Sequence, residues 1–143
     1  MTVAHSVVHQ FYAALARGEA ETALALLDPE VSWTEAEHSP YYKGEVIGVE
    51  AVVETVLNPI NHDFEDFRVI ALDFVSEEDR VAVFGRYAGR HRASRKELQA
   101  TFVHSWTIRG DLLARFEQYT DTTAWEKAVQ SRSSPGSVRS AFF

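Results

Sequence analysis

The chain contains no cysteine among its 143 residues, which excludes disulfides, thiolate metal sites and cysteine nucleophiles together. Positive charge is also scarce: 14 Lys and Arg stand against 21 Asp and Glu, a net charge of −7. A surface of that sign repels phosphate backbones and anionic lipid, so neither nucleic acid nor membrane is expected as a partner. No apolar run approaches the roughly eighteen residues that a membrane span needs. The first ten residues show no basic start followed by an apolar stretch, so a secretory signal is not expected. These absences point to a soluble, cytoplasmic protein.

What the chain does have is apolar bulk. Hydrophobic residues make up 45% and aromatic residues 12%, enough for one well-packed domain and too much for disorder. Rings in that proportion suit a plain core or the walls of a deep apolar cavity. One domain is expected over residues 1–131. Residues 132–143, polar and interrupted by Pro135-Gly136, are expected to form a tail dispensable for folding.

The hydrophobic period changes along the chain. Ala4, Val8, Phe11 and Leu15 repeat at helical spacing up to Gly18, and Ala20, Ala23, Leu24 and Leu27 mark a second helix ended by Asp28-Pro29. Val31, Trp33 and Glu35 then alternate with Ser32, Thr34 and Ala36, which predicts a strand. Ser39 to Gly48 reads as a loop, and Val49 to Leu57 as a third helix closed by Asn58-Pro59. Four strands are predicted over residues 64–75, 80–91, 98–108 and 112–120, with a last helix over 122–130. Helices first and a meander of strands afterwards define an α+β class. The expected form is a curved antiparallel sheet wrapped around the N-terminal helices, a cone with an apolar cavity.

Three stretches carry a family resemblance: Val31-Ser-Trp-Thr-Glu-Ala-Glu37 with Pro40-Tyr-Tyr-Lys-Gly44; Val83-Phe-Gly-Arg-Tyr-Ala-Gly89; and Phe102-Val-His-Ser-Trp-Thr-Ile108 with Phe116-Glu-Gln-Tyr-Thr-Asp121. With the element order, they resemble the nuclear transport factor two superfamily in its SnoaL-like and ketosteroid isomerase-like branch. The resemblance implies the cone fold but leaves function open, since the fold carries isomerases, cyclases, epoxide hydrolases, dehydratases and binding modules. It also implies a homodimer. The outward set Val103, Ser105 and Thr107 is uncharged enough for such an interface.

Strand alternation selects the candidate residues. Tyr87 lies on the less charged face of its strand. Phe102, His104 and Trp106 share one face of the next, and Phe116 and Gln118 one face of the last. His104, between two aromatic neighbours, reads equally as a core histidine or as a donor and proton carrier. Glu35 shares a face with Val31 and Trp33, and reads equally as a strand-end carboxylate facing solvent or an arginine, or as one whose apolar surroundings raise its pKa and suit it to general-base work. The resemblance supports that role, because the ketosteroid isomerases take their catalytic carboxylate from an equivalent region. Glu37 is expected to be solvated. Glu35 and His104 are therefore the catalytic candidates. Trp33, Tyr87, Phe102, Trp106, Phe116 and Gln118 are the candidates for binding an apolar, carbonyl- or hydroxyl-bearing molecule.

The isomerase pattern is incomplete here. Phe11 aligns with the first-helix tyrosine that serves those enzymes as oxyanion donor. Tyr12, roughly 100° further round the helix, is expected to look elsewhere. His104 replaces their acidic donor, and the Asp-Arg-Asp set of the epoxide hydrolases cannot be assembled on one face, with Gln118 where an aspartate would stand. The resemblance implies a site carboxylate near Asp121, but its place before Thr-Thr-Ala-Trp-Glu favours a helix cap. His5 and His9 have metal-compatible spacing without a third ligand, so no metal and no cofactor are expected. The basic residues Arg90 to Lys96 and the Arg109-Gly-Asp111 turn read as solvated surface. The reading that follows is a small cofactor-independent acid–base enzyme performing isomerisation, cyclisation or hydration and dehydration. A non-catalytic ligand-binding or dimerisation module of the same fold is the alternative.

Overall fold

The computed structural model describes residues 2–131; the expected tail at 132–143 lies outside the described residues. The elements run α1 (Val3–Ala16), α2 (Ala20–Leu24), β1 (Leu27–Thr34), β2 (Glu45–Ile47), α3 (Val49–Val52), a π-helical turn (Val53–Leu57), α4 (Asn58–Asp63), β3 (Phe64–Glu77), β4 (Arg80–His91), β5 (Glu97–Arg109), β6 (Leu112–Thr120) and α5 (Thr122–Val129). Among the described residues the strands form one curved, unclosed sheet in the order β2-β1-β6-β5-β4-β3. The fold is α+β, as its pattern of elements predicts. The helix α1 lies in the concavity, packed on β3 to β6, with α3 against β1 and α5 against β4 and β5.

Four local features differ from the sequence expectation. β1 begins at Leu27 rather than Val31, because Leu27 pairs with Leu113 before a bulge carries the strand to Ser32. β1 runs parallel to β6, so the sheet is not wholly antiparallel. The Ser39–Gly48 loop contains β2, which pairs with β1 from Ser32↔Ile47 to Thr34↔Glu45; three residues are too few to show a period. Asn58-Pro59 does not end the third helix. A proline in a helix lacks an N–H and its ring crowds the carbonyl four residues back. Here the preceding turn widens, with Asn58 N–H donating to the Val53 carbonyl, and Pro59 enters at the first turn of α4, where its missing donor costs little.

Parity on the long strands is as the sequence reads it. Val81, Val83, Tyr87, Leu98, Ala100, Phe102, His104, Trp106, Phe116 and Gln118 are all buried on the inner face. Trp33 stacks on Phe116 across the β1–β6 pair, centroids 3.8 Å apart. Each such fully buried side chain contributes about 1.5–3 kcal/mol through area removed from water. Asp121 caps α5 by accepting from Ala124 N–H at 3.2 Å. Ser94, in the β4–β5 turn, closes the other end of α5 by donating to the Ala128 carbonyl at 2.6 Å.

The sheet leaves no room for a side chain at Gly85. A Cβ there would lie 2.1 Å from the Ile70 carbonyl oxygen and 2.6 Å from Phe102 Cζ, closer than real atoms approach. The same region of β3 carries a bulge between Ala71 and Asp73, the usual device for local bending. Gly85→Ala is therefore expected to lower stability by about 1–3 kcal/mol or more through forced overpacking. A urea melt showing an unchanged midpoint would contradict this account of the bend.

Candidate functional site

Between the inner face of the sheet and α1, α2, the π-helical turn and α4 lies a cavity of about 700 Å³. Most of its wall is apolar: Phe11, Leu24, Leu57, Phe67, Phe74 and Trp125 are representative. Its buried polar groups are Tyr12, Glu35, Tyr87, His104 and Gln118. Exposed Asn58, Asn61 and Arg68 mark its solvent side.

Glu35 follows the last residue of β1 and keeps that strand's inward parity, with 5% of its surface exposed. Oε2 accepts from Trp33 Nε1 at 2.9 Å, and Oε1 is buried without a hydrogen-bond partner. Burial pushes the carboxyl up to about 7, with the Trp33 indole and the Gln118 amide drawing it part of the way back. Removing a carboxylate from water disfavours its charged form, which is the dominant effect here. Glu37 is exposed, as expected.

His104 projects from the centre of β5. Phe102 stacks flat on its ring, with centroids 3.8 Å apart and planes 9° from parallel, while Phe116 meets it edge-on. Both ring nitrogens are engaged. Nδ1 is hydrogen-bonded to the Tyr12 hydroxyl and Nε2 to the Tyr87 hydroxyl, the latter at 2.6 Å. Burial holds the imidazole well below its ordinary pKa, which favours the neutral ring. The same desolvation raises both phenols, Tyr87 further so through the Glu35 charge.

Two fixed donors terminate this chain of bonds. Trp106 Nε1 donates to the Tyr12 oxygen at 2.8 Å, and Gln118 Nε2 donates to the Tyr87 oxygen at 2.6 Å. The Gln118 amide has one orientation available to it: its Oε1 accepts from Ala36 N–H at 3.0 Å, so its nitrogen must face Tyr87.

The structure thus brings Trp33, Glu35, Tyr87, His104, Phe116 and Gln118 to one cavity. Phe102 and Trp106 stand behind its wall instead: Phe102 supports the imidazole and Trp106 anchors Tyr12. The expectation that Tyr12 looks elsewhere is corrected. α1 is enclosed over a wide arc, with Phe11 packing edge-on against Trp106 and Tyr12 reaching His104 beside it. A stripe widened to include both neighbours would have found it, since buried helices present more than a 100° face. His9 lines the cavity too, its Nε2 hydrogen-bonded to His5 Nε2 at 2.8 Å and its ring stacked on Phe74. Among the described residues no group of three or more His, Cys, Asp or Glu is placed to hold a metal, and no helix is long and apolar enough to cross a membrane.

Residues 8–116 match the model of the SnoaL-like domain family. The chain belongs to that family. Solved structures agree in shape. An NTF2-like protein from Burkholderia thailandensis is 25% identical with a TM-score of 0.85, over 91% of this chain and 99% of that one. TerC, co-crystallised with polyporic acid, is 25% identical with a TM-score of 0.79, over 91% and 100%. A hypothetical protein of ketosteroid isomerase-like fold from Catenulispora acidiphila, in complex with trimethylamine, shares the fold at 13% identity and a TM-score of 0.72, over 86% and 91%. No curated protein matches the sequence.

The raised carboxyl has a consequence for stability. A folded-state value of about 7 against an ordinary 4.5 means that protonated Glu35 favours the folded state. That contribution is complete below the ordinary value and is lost as pH rises through the folded one. Glu35→Gln, which stays neutral, is expected to match the wild type in acid and to exceed it by about 3 kcal/mol once Glu35 is charged. Urea melts across a pH series measure the difference. Parallel curves for the two proteins would show that the carboxyl is solvated.

Proposed function

We propose that this SnoaL-like chain is a cofactor-independent enzyme that moves a proton on an apolar small molecule bearing a carbonyl or hydroxyl group. Glu35 is the proton carrier in this reading. Trp33, Tyr87, Phe116 and Gln118 meet the ligand, while His104 acts through its hydrogen bonds to the two tyrosines. The observation that carries it is the buried, unpartnered Oε1 of Glu35 beside a cavity of about 700 Å³. A carboxyl that titrates near 7 can take and return a proton at neutral pH. The apolar wall suits a ligand with few polar atoms, and the ligand-bound relatives favour small molecules as a class.

A thermal-shift panel beginning with polyporic acid and extending to apolar ketones and phenols is the test, followed by turnover assays on every compound that stabilises the protein. Glu35→Gln and His104→Asn are each expected to cut turnover by about 10²-fold or more, the usual scale of general acid–base contributions. Activity surviving both substitutions overturns the mechanism. The second reading, a binding module, is favoured by one specific feature: both nitrogens of His104 are already occupied within the protein. Tight binding without turnover in the wild type would decide for it.

In the same reading the chain is a cytoplasmic homodimer formed through the outer face of the sheet; a chain without cysteine is compatible with that compartment. Val103, Ser105 and Thr107 are half-buried there, and Phe84, Val103 and Tyr119 form one cross-strand row. Phe84 is 42% and Tyr119 57% exposed, an apolar stripe that association would cover. Light scattering at micromolar concentration should give twice the chain mass, and a monomer would sink this assignment.

A further inference from the structure

The bonded chain Trp106–Tyr12–His104–Tyr87–Gln118 holds one more proton than its own hydrogen bonds use. Trp106 and Gln118 donate inward at its two ends. Between them lie two bonds, Tyr12 to Nδ1 and Tyr87 to Nε2. A neutral imidazole brings one N–H and each phenol one O–H. Two of these three protons fill the two bonds, and the third is left over.

Which group carries the spare proton depends on the tautomer. With hydrogen on Nδ1, the Tyr12 oxygen accepts from Trp106 and from the imidazole, Tyr87 donates to Nε2, and the Tyr12 hydroxyl proton is free. With hydrogen on Nε2, the Tyr87 oxygen accepts from Gln118 and from the imidazole, Tyr12 donates to Nδ1, and the Tyr87 proton is free. Either arrangement fills all four bonds of the chain, because each tyrosine has its own fixed N–H donor. Both tyrosines line the cavity.

We propose that His104 is a positioning residue whose tautomer decides which tyrosine offers its hydroxyl proton to the cavity, and that a charged Glu35 selects Tyr87. Gln118 bridges the two: its Nε2 bonds the Tyr87 oxygen and its Oε1 bonds the N–H of Ala36, the residue after Glu35, and all three side chains line one cavity. Burial raises the Tyr87 phenol and the Glu35 charge raises it further. A negative charge draws the proton chain towards itself, which places hydrogen on Nε2 and frees the Tyr87 hydroxyl next to Glu35. A ligand carbonyl, ether or hydroxyl oxygen at that point accepts from Tyr87. When Glu35 is neutral the bias lapses and Tyr12 shares the role. The cavity therefore supplies one phenolic donor at a time, at either of two positions. A ligand with two acceptor oxygens receives it at one of them.

The groups that face this network are Tyr12 and His9 from α1, Glu35 after β1, Arg68 from β3 and Tyr87 from β4, with uncharged Gln118 from β6 and Trp125 from α5. Of these, Glu35 is raised to about 7 by burial, while His9 is lowered from the ordinary imidazole value by burial and by its neighbour His5. The use made of the donor rests on the acid–base reading of the cavity, but its existence is testable without any ligand.

The experiment is ¹⁵N NMR of histidine-labelled protein, with His104 assigned by the signals lost in His104→Asn. At about pH 8, with Glu35 ionised, Nε2 is expected in the protonated range and Nδ1 in the bare range. As pH falls through the Glu35 transition the two signals should move towards each other without an imidazolium signature. Glu35→Gln should show the converged pair already at the higher pH and no further response, although His9 is still present. Should that variant fold poorly, the same pH series in His9→Gln, which removes the other titrating ring, decides. An imidazolium, a dominant Nδ1–H form with Glu35 charged, or signals indifferent to the state of Glu35 would each overturn the proposal. Failure of the turnover assays would leave these spectra unchanged, so the two readings fail separately.

Discussion

The site depends on how sharply the sheet bends around α1. At Gly85 the backbone of β3 and the ring of Phe102 occupy the space that any side chain would need. The bulge in β3 beside it lets the outer strands fold over the helix. That curvature brings Tyr12 of α1 within bonding reach of His104 and Trp106, which lie more than ninety positions further along the chain. A flatter sheet would leave the same residues on the same faces and still take the network apart.

Burial then does the chemical work. Every polar atom of the inner network is bonded except Glu35 Oε1, and an unsatisfied buried polar atom carries a cost of roughly 1–3 kcal/mol. The two ionisable centres respond to burial in opposite senses: the carboxyl is raised to about 7 and the imidazole is depressed. Both shifts favour the neutral form. An acid in that position costs stability when charged, and carboxyls perturbed by burial in a cavity concentrate at functional sites.

Much of this was legible in the sequence. Period-two alternation put Glu35 with Trp33, His104 with Phe102 and Trp106, and Gln118 with Phe116, and the buried faces agree. Asp121 before a run of helix formers was readable as a cap. The elements that were missed lack a periodic signal of their own. β2 spans three residues and exists because β1 offers it an edge. The parallel contact of β1 with β6 joins segments on opposite sides of the meander, and no local pattern encodes it. Pro59 looked like a helix stop because the widened turn before it is a tertiary accommodation.

The sequence by itself determined which side chains point inward, since alternation along a strand is a property of the covalent backbone. It determined as well the acidic surface and the absence of thiol chemistry. Only the tertiary structure decided what those inward groups do for one another. Tyr12 was one residue away from the expected position on α1, and its value lies in a partner 92 positions distant. His104, read as either a core histidine or a proton carrier, is a ring held at both nitrogens by tyrosine hydroxyls, and Phe102 and Trp106 turn from cavity lining to supports of the network. Hydrogen bonds of this kind depend on distances set by the bend of the sheet and the seating of a helix within it. Those distances are fixed by packing across the whole domain, which no window of sequence contains.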